Sequence, residues 1–331
     1  MSSLVRAAPR DGLGGAVRIA VFGAGGQGCY LAGRLAADGR DVTLVGRGES
    51  IRAVARRGIE LRGPGGDLAV AAPRTSDTPS LVGEVDLLIV CVKTYDLHEA
   101  AAASRPLVGP STTVLPIQNG VDAARRLGAT LGDDRVIGGV SYISAHVEAA
   151  GRVTWGGVAG RMEIGEIIGA VGERIEVVRA ALENSGIPTT VRDDMNVAIW
   201  EKFVLVCATG GVLAYLRAPM GEVLASEEGP TLLRGVMDEA ASVGRSRGIP
   251  LPDDLVERHA VFVREKIAPT GRSSMLVDLL AGRRLELDAL NCNVVRMGRS
   301  LGVSTPLNAA VCAALRPYAD GTHVAPGTQD R

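Results

Sequence analysis

Val17-Arg18-Ile19-Ala20-Val21-Phe22-Gly23-Ala24-Gly25-Gly26-Gln27-Gly28 decides the fold of this 331-residue chain. An apolar, β-prone run enters a glycine-rich turn. Residues 29–37 then carry helical spacing, and Asp41-Val42-Thr43-Leu44-Val45 reads as a second strand. Strand, Gly-x-Gly-x-x-Gly turn, helix and strand within about 30 residues is the pattern of a dinucleotide-binding unit. The chemistry lies in the backbone. A tight turn at Gly23 and a bare backbone at Gly25 let a pyrophosphate approach the amides of a helix N-terminus, while Gly28 lets helix and strand pack closely. Ala24, Gly26 and Gln27 complete the cofactor-binding turn. A plain tight turn is the competing reading of the same residues.

Outward from this unit, the first half continues as α/β. A helix is expected near residues 49–57 and a hairpin over 59–72, with Gly63-Pro64-Gly65-Gly66 at its tip. Residues 86–92 form a continuous apolar run, as strands buried on both faces do. A helix over 96–103 and a strand over 112–117 follow. Short strands over 136–147, 153–155 and 162–164 are expected to extend or cap the first sheet. A helix over 172–184 and a strand over 188–191 close this half.

Near Asp193 the pattern switches to helices alone: 198–215, 226–247, 253–267, 274–280, 285–301 and 307–315. The expected architecture is a Rossmann-type, doubly wound sheet over residues 17–193, followed by an all-α domain over 194–320. Residues 1–16 are expected to be a flexible extension and 321–331 a disordered tail.

Composition narrows the function. Lys+Arg 36 against Asp+Glu 37 removes the simple electrostatic case for nucleic acid, and 3% aromatics leave too few rings for base stacking. The apolar, uncharged run over residues 203–216 is shorter than the ~20 residues needed to span a bilayer, so no membrane partner is expected. Cys29, Cys91, Cys207, Cys292 and Cys312 are odd in number and lack a C-x-x-C pair. That argues against a disulfide framework or zinc site and for a reducing, cytoplasmic setting. His98, His146, His259 and His323 show no metal spacing.

Candidate site residues follow the strand ends. An NAD site places an acid after the second strand to accept the ribose hydroxyls. Here Arg47 stands in that place, in Gly46-Arg47-Gly48-Glu49, and a guanidinium suits a 2′-phosphate. A solvated loop arginine is the bland alternative, and Glu49 keeps NAD in play. Lys93, past the third core strand, adds positive charge at the same edge. Gln118-Asn119-Gly120 reads either as a hairpin turn or as a strand end facing the cofactor. The helical look of residues 121–127 favours the second, with Asn119 at the reaction site. Lys202 precedes the apolar run 204–213. It is either a snorkelling surface lysine or a partly desolvated proton donor, suited to ketone reduction. Ser273-Ser274-Met275 alone reads as a helix N-cap, and Arg283-Arg284-Leu285-Glu286-Leu287-Asp288 as a charged face.

Taken together, Gly23-Ala24-Gly25-Gly26-Gln27-Gly28, Val92-Lys93-Thr94-Tyr95, Gln118-Asn119-Gly120-Val121, Trp200-Glu201-Lys202, Ser273-Ser274-Met275 with Asp278, Glu286-Leu287-Asp288 and Thr305-Pro306-Leu307-Asn308 resemble the ketopantoate reductase (2-dehydropantoate 2-reductase) family. The likeness runs from Val17 to about Leu315. It implies NADPH-dependent reduction of a 2-oxo acid to a 2-hydroxy acid, by default 2-dehydropantoate to pantoate in the pantothenate pathway. It implies Lys202 as general acid with Glu286 as its polar partner. Asn119 and Ser274 would orient the substrate carbonyl and carboxylate, and Asn119 and Glu286 also border the cofactor. It further implies an active site in the cleft between the two domains, and it allows a homodimer.

One departure concerns substrate. The family pattern carries Asn four and eight residues after the lysine, where this chain has Val206 and Gly210. All three positions share one helix face. The expectation is a more apolar wall with more room at Gly210, suited to a more apolar 2-oxo acid. Arg217 is the candidate for a compensating carboxylate contact, with an exposed loop arginine as its other reading. A non-catalytic NADP-sensing protein is the rival from another class.

Overall fold

A computed structural model describes residues 17–64, 68–70, 73–156 and 160–321. The expected extension at 1–16, the tail from 322 onward and residues 65–67 and 71–72 of the expected hairpin lie outside the described residues. The chain divides into two compact units. One holds the residues up to Gln118 together with Asp122–Met195. The other holds Asn119–Val121 and everything from Asn196.

The first unit runs β1 (Arg18–Phe22), α1 (Gly26–Ala37), β2 (Asp41–Val45), α2 (Gly48–Arg57), β3 (Ile59–Arg62), β4 (Leu68–Val70), β5 (Arg74–Ser76), β6 (Val85–Val90), α3 (Leu97–Ser104), β7 (Val108–Pro116), α4 (Ala123–Leu131), β8 (Gly138–Ser141), β9 (Ser144–Ala149), β10 (Arg152–Gly156), β11 (Met162–Gly165), α5 (Glu173–Asn184) and β12 (Thr189–Val191). Its main sheet is wholly parallel, in the order β5-β2-β1-β6-β7. Alternate side chains serve opposite faces, as the strand period of two requires. Ile19, Val21, Leu87 and Ile89 pack with α1 and α5, while Ala20, Leu88 and Val90 pack with α3 and α4. Burial on both faces is why residues 86–92 read as an unbroken apolar run.

Among the described residues, the later strands pair with this sheet only through a parallel bridge of Val136 to Val114 on β7. They form two sheets of their own, in the orders β4-β3-β10-β9 and β12-β11-β8. In the first, β10 pairs parallel with β3, Arg152 opposite Glu60, far apart in sequence. Trp155 of β10 stacks at a tilt on Tyr30 of α1, ring centroids 5.4 Å apart, so this sheet covers α1 rather than the main sheet's edge.

The second unit is helical: α6 (Met195–Leu216), α7 (Met220–Ala225), α8 (Gly229–Ser246), α9 (Leu255–Lys266), α10 (Ser274–Leu280), α11 (Asn291–Leu301) and α12 (Pro306–Leu315). The helix expected over 226–247 begins instead at Gly229. Ser226 Oγ donates to the Val223 carbonyl and accepts from the Gly229 amide, which ends α7 and starts α8. Likewise α11 begins at Asn291, because residues 286–290 wind in turns with the Leu290 amide directed at the Glu286 and Leu287 carbonyls.

Two expectations drawn from composition are corrected. Helix α6 is 22 residues long and its most apolar window has a mean hydropathy of 1.7, enough by length and composition to cross a membrane. Its apolarity is explained by burial: 72% of its most apolar window lies inside the protein, among Phe203, Val204, Cys207, Ala208, Val212 and Leu213. The cysteines do pair in part. Cys292 of α11 and Cys312 of α12 form a disulfide, Cα to Cα 5.3 Å. Their 20-residue spacing matches no short motif, and adjacent helices bring them together.

Candidate active site

At the end of β1 the chain turns through Gly23, whose φ of +119° only glycine holds without strain. The Gly23 amide is tied to the Val45 carbonyl at 2.8 Å, fixing the turn against β2. A Cβ at Gly28 would overlap the Gly23 carbonyl oxygen, so α1 starts pressed against the turn. Gly25, the N-cap residue of α1, is different: nothing lies within 4 Å of where its Cβ would be. No side chain caps α1 and no acid sits in its first turn. The first amides of α1, from Gly26 on, are therefore left for an anion. Gln27 contributes backbone there, since its side-chain amide donates to the Ile143 carbonyl at 3.2 Å. Ala24 packs where a Gly46 side chain would stand, so the loop after β2 lies beside the turn.

That loop carries Arg47, exposed, as the N-cap residue of α2. Glu49 is engaged elsewhere: its carboxylate accepts from Arg56 at 2.5 Å and from Arg52 at 3.2 Å. Those two guanidiniums hold Glu49 below the usual carboxylate range. The sequence reading missed Arg52 and Arg56, although their spacing of three and seven from Glu49 on a helix is visible. With one carboxylate among three guanidiniums, the start of α2 is net positive. Lys93 follows β6, half-buried. Gln118 locks the end of β7 to β6, its Nε2 donating to the Val90 and Val92 carbonyls at 2.7 and 3.1 Å. Among the described residues its Oε1 is buried without a hydrogen-bond partner, an acceptor open to a donor such as a carboxamide. These features fit a dinucleotide along the carboxyl ends of the parallel strands.

The remaining candidates belong to the helical unit. Lys202 is buried on α6, 8% exposed, between Trp200 and Phe203, whose rings meet edge to face at 5.2 Å. From α9, His259 Nε2 meets the Glu201 carbonyl at 2.8 Å, and burial pushes its imidazole below the usual pKa. Only three of the 36 basic residues are lysines: Lys93, Lys202 and Lys266.

Glu286 is also buried, 7% exposed, on the turns before α11 rather than on a charged helix face. Asn119–Val121 groups with this unit, although its chain neighbours do not. The turn is no hairpin: Gly120 sits against Ala289, with 3.1 Å between its Cβ position and the Ala289 oxygen. Asn119 is thereby carried to the segment that bears Glu286. Ser273 caps α10, accepting from the Leu276 amide at 3.2 Å, and reaches the Gly210 carbonyl of α6 at 3.4 Å. Ser274 thus opens α10 beside Gly210.

The structure bears on two further candidates, Gly210 and Arg217. At Gly210 an added Cβ would make ordinary contact with Leu290 Cδ1 at 3.7 Å and Met275 Cε at 4.0 Å, so the room there is bounded by these side chains. Arg217 sits just past α6 with φ +54°, exposed, its guanidinium 4.9 Å above the Tyr318 ring. The fourteen helical steps from Lys202 to Leu216 rise about 21 Å, so Arg217 stands far along α6 from Lys202.

Both units match known families. Residues 19–169 match the model described as ketopantoate reductase PanE/ApbA, and residues 194–319 the model of its C-terminal domain. The chain belongs to the ketopantoate reductase family. It is 33% identical to a 2-dehydropantoate 2-reductase of Caulobacter vibrioides, over 91% of this chain and 99% of that one. The crystal structure of a PanE/ApbA family ketopantoate reductase from Ralstonia eutropha superposes with a TM-score of 0.83 at 32% identity, covering 91% of this chain and 98% of that one. The fold is also that of a D-mandelate dehydrogenase solved with NADH and anilino(oxo)acetate, TM-score 0.83 at 21% identity, covering 91% and 98%. Family membership makes the chain a nicotinamide-dependent oxidoreductase.

Proposed function

We propose that the chain reduces a 2-oxo acid to a 2-hydroxy acid with NADPH, with 2-dehydropantoate as the reference substrate. When bound, the dinucleotide supplies the hydride. The protein's part is to hold the acid and deliver a proton. The Lys202 ammonium donates to the ketone oxygen as negative charge grows there, and Glu286 is its polar partner. Asn119 and Ser274 orient the carbonyl and carboxylate. The observation that carries this reading is a lysine and a carboxylate, both over nine-tenths buried, in one helical unit that also takes in Asn119. Burial strengthens the field of such groups and excludes competing water.

For the cofactor, Gly23, Ala24, Gly25, Gly26, Gln27 and Gly28 would cradle the pyrophosphate, while Arg47 and Lys93 supply positive charge. NADPH is preferred over NADH in this reading because Glu49 is already bound by Arg52 and Arg56. A cytoplasmic setting is kept on three of the five cysteines remaining thiols, against the Cys292–Cys312 disulfide, and a homodimer on the family resemblance.

A second reading is favoured by one feature. Val206 packs against the apolar core and Gly210 is walled by Leu290 and Met275, so this face of α6 presents hydrocarbon. A branched or aromatic 2-oxo acid would lose no hydrogen bond there.

The test is NADPH oxidation with 2-dehydropantoate beside branched and aromatic 2-oxo acids. 2-Dehydropantoate ahead by tenfold or more in kcat/KM supports the first reading, and an apolar acid ahead supports the second. Binding of NADPH without turnover of any acid would leave a sensing protein instead. Lys202→Ala is expected to lower kcat by about 10²–10⁴-fold while still binding NADPH. Near-normal turnover in that variant would mean another group donates the proton.

A further inference from the structure

A line of buried amides that the reaction itself does not use runs through the helical unit that holds Lys202 and Glu286. Asn291, the first residue of α11, is fully buried. Its Nδ2 donates to the Cys207 carbonyl of α6 at 2.9 Å and to Asn308 Oδ1 of α12 at 2.9 Å. Asn308, also fully buried, donates from Nδ2 to the Val236 carbonyl at 3.2 Å and to Glu239 Oε2 at 2.8 Å, both on α8. The Glu239 carboxylate in turn accepts from the Leu307 and Asn308 amides, each at 2.8 Å, at the N-terminus of α12. One polar line thus joins α6, α11, α12 and α8 through an otherwise apolar core.

Its two ends of interest are close in sequence to the candidate site. Cys207 is five residues beyond Lys202 on the same helix. Asn291 is five residues beyond Glu286, across a stretch stiffened by the Leu290 amide on the Glu286 carbonyl and the Cys292 amide on the Leu287 carbonyl. The contact also constrains α6. A Cβ on Gly211 would lie 2.6 and 2.7 Å from Nδ2 and Cγ of Asn291, so the amide rests flat on bare helix backbone. Glycine is a poor residue for a helix interior, and two of them, Gly210 and Gly211, stand here together. Cohesion alone does not require this, because a well-packed apolar pair would serve as well. What an amide bonded to one backbone carbonyl adds is a single register of α11 against α6.

We infer that Asn291 is a positioning residue: by fixing the start of α11 on α6, it sets where the Glu286 carboxylate stands relative to the Lys202 ammonium. The inference rests on the reading of that pair as proton donor and partner.

Two variants perturb the register by different routes. Asn291→Leu removes the amide at similar volume. Gly211→Ala keeps the amide but displaces it, while raising the helix propensity of α6. Val263→Ala, a core truncation on α9, controls for lost stability. Each is measured on the full chain for melting temperature, NADPH affinity, kcat, KM and the titration midpoint of the Lys202 side chain. The midpoint is read by NMR of the lysine Cε resonances, of which the chain has only three.

The expected result is a folded protein with NADPH affinity within twofold of the parent, kcat down at least tenfold, KM changed less than threefold and a displaced Lys202 midpoint. Lys93, Lys266 and the Val263→Ala variant should show no such displacement. A folded Asn291→Leu or Gly211→Ala protein with unchanged kcat and Lys202 midpoint overturns the inference. So does failure of both to fold, which would make the amide line a folding element. If the parent reduces no 2-oxo acid, the functional reading falls by itself. The Lys202 midpoint then decides alone: displaced it supports the brace, unmoved it removes it.

Discussion

Gly25→Ala separates cofactor binding from folding. Gly25 has φ −84° and ψ −172°, which alanine adopts freely, and its Cβ would meet nothing within 4 Å. Such a replacement changes stability by less than about 1 kcal/mol. The new methyl, however, stands in the opening before the first amides of α1. Each amide–phosphate hydrogen bond lost there is worth about 1.5–3 kcal/mol, or roughly 10- to 150-fold in affinity. Gly28→Ala is the contrast. Its Cβ would overlap the Gly23 carbonyl oxygen and lie 3.0 Å from the Gly23 carbon and 3.3 Å from Cys91 Cβ. Helix α1 must then move off β1, at a cost of about 1–3 kcal/mol. The assay is a fluorescence titration with NADPH beside a thermal melt. Gly25→Ala should melt with the parent and bind at least tenfold more weakly, whereas Gly28→Ala should melt several degrees lower. Binding within threefold of the parent in Gly25→Ala would refute the placement of the pyrophosphate.

Arg47→Asp should weaken NADPH by about 10- to 150-fold, the scale of one charged hydrogen bond, and spare NADH; equal affinity of the parent for both cofactors, read by titration, would end the assignment. His259 is held neutral by burial against Glu201, with Arg258 alongside. Since its folded pKa lies below 6.5, its stabilising effect is complete above pH 6.5 and declines as pH falls toward the folded value, because the unfolded chain takes up the proton first. His259→Gln, which keeps a donor for the Glu201 carbonyl, should flatten the fall in melting temperature between pH 7 and 5, and parallel curves would contradict this. Replacing Cys312 with Ser should cost about 3 kcal/mol under oxidising conditions, from a loop of 20 residues, and much less with reductant present. Equal losses in both conditions, measured by denaturant titration, would mean the cysteines matter only for packing.

Much of the fold and part of the site are legible wherever the signal is short-ranged. The strand–turn–helix at residues 18–37, the buried parallel strand at 85–90 and the Ser273 cap of α10 each rest on one turn, one period or one side-chain hydrogen bond. Glycine spacing announces the cradle because only backbone sterics are involved. Lys202 stands out because lysine is rare in this chain. Glu286 was harder, since four charged residues among 283–288 look alike until the fold buries one of them.

The amino-acid sequence by itself determined the α/β-then-α order, the dinucleotide turn and the helix that carries Lys202, all through steric and periodic rules acting over a few residues. Tertiary structure alone decided where distant partners meet. It paired β3 with β10 across about ninety residues, joined Cys292 to Cys312, and placed Asn119 with helices that begin some eighty residues later. It also bounded the space beside Gly210 with Leu290 and Met275, and tied Asn291 to the backbone of α6. These contacts depend on which surfaces the folded core brings within a few ångströms. No local pattern encodes that, because each partner's own neighbourhood is satisfied equally well by many other packings.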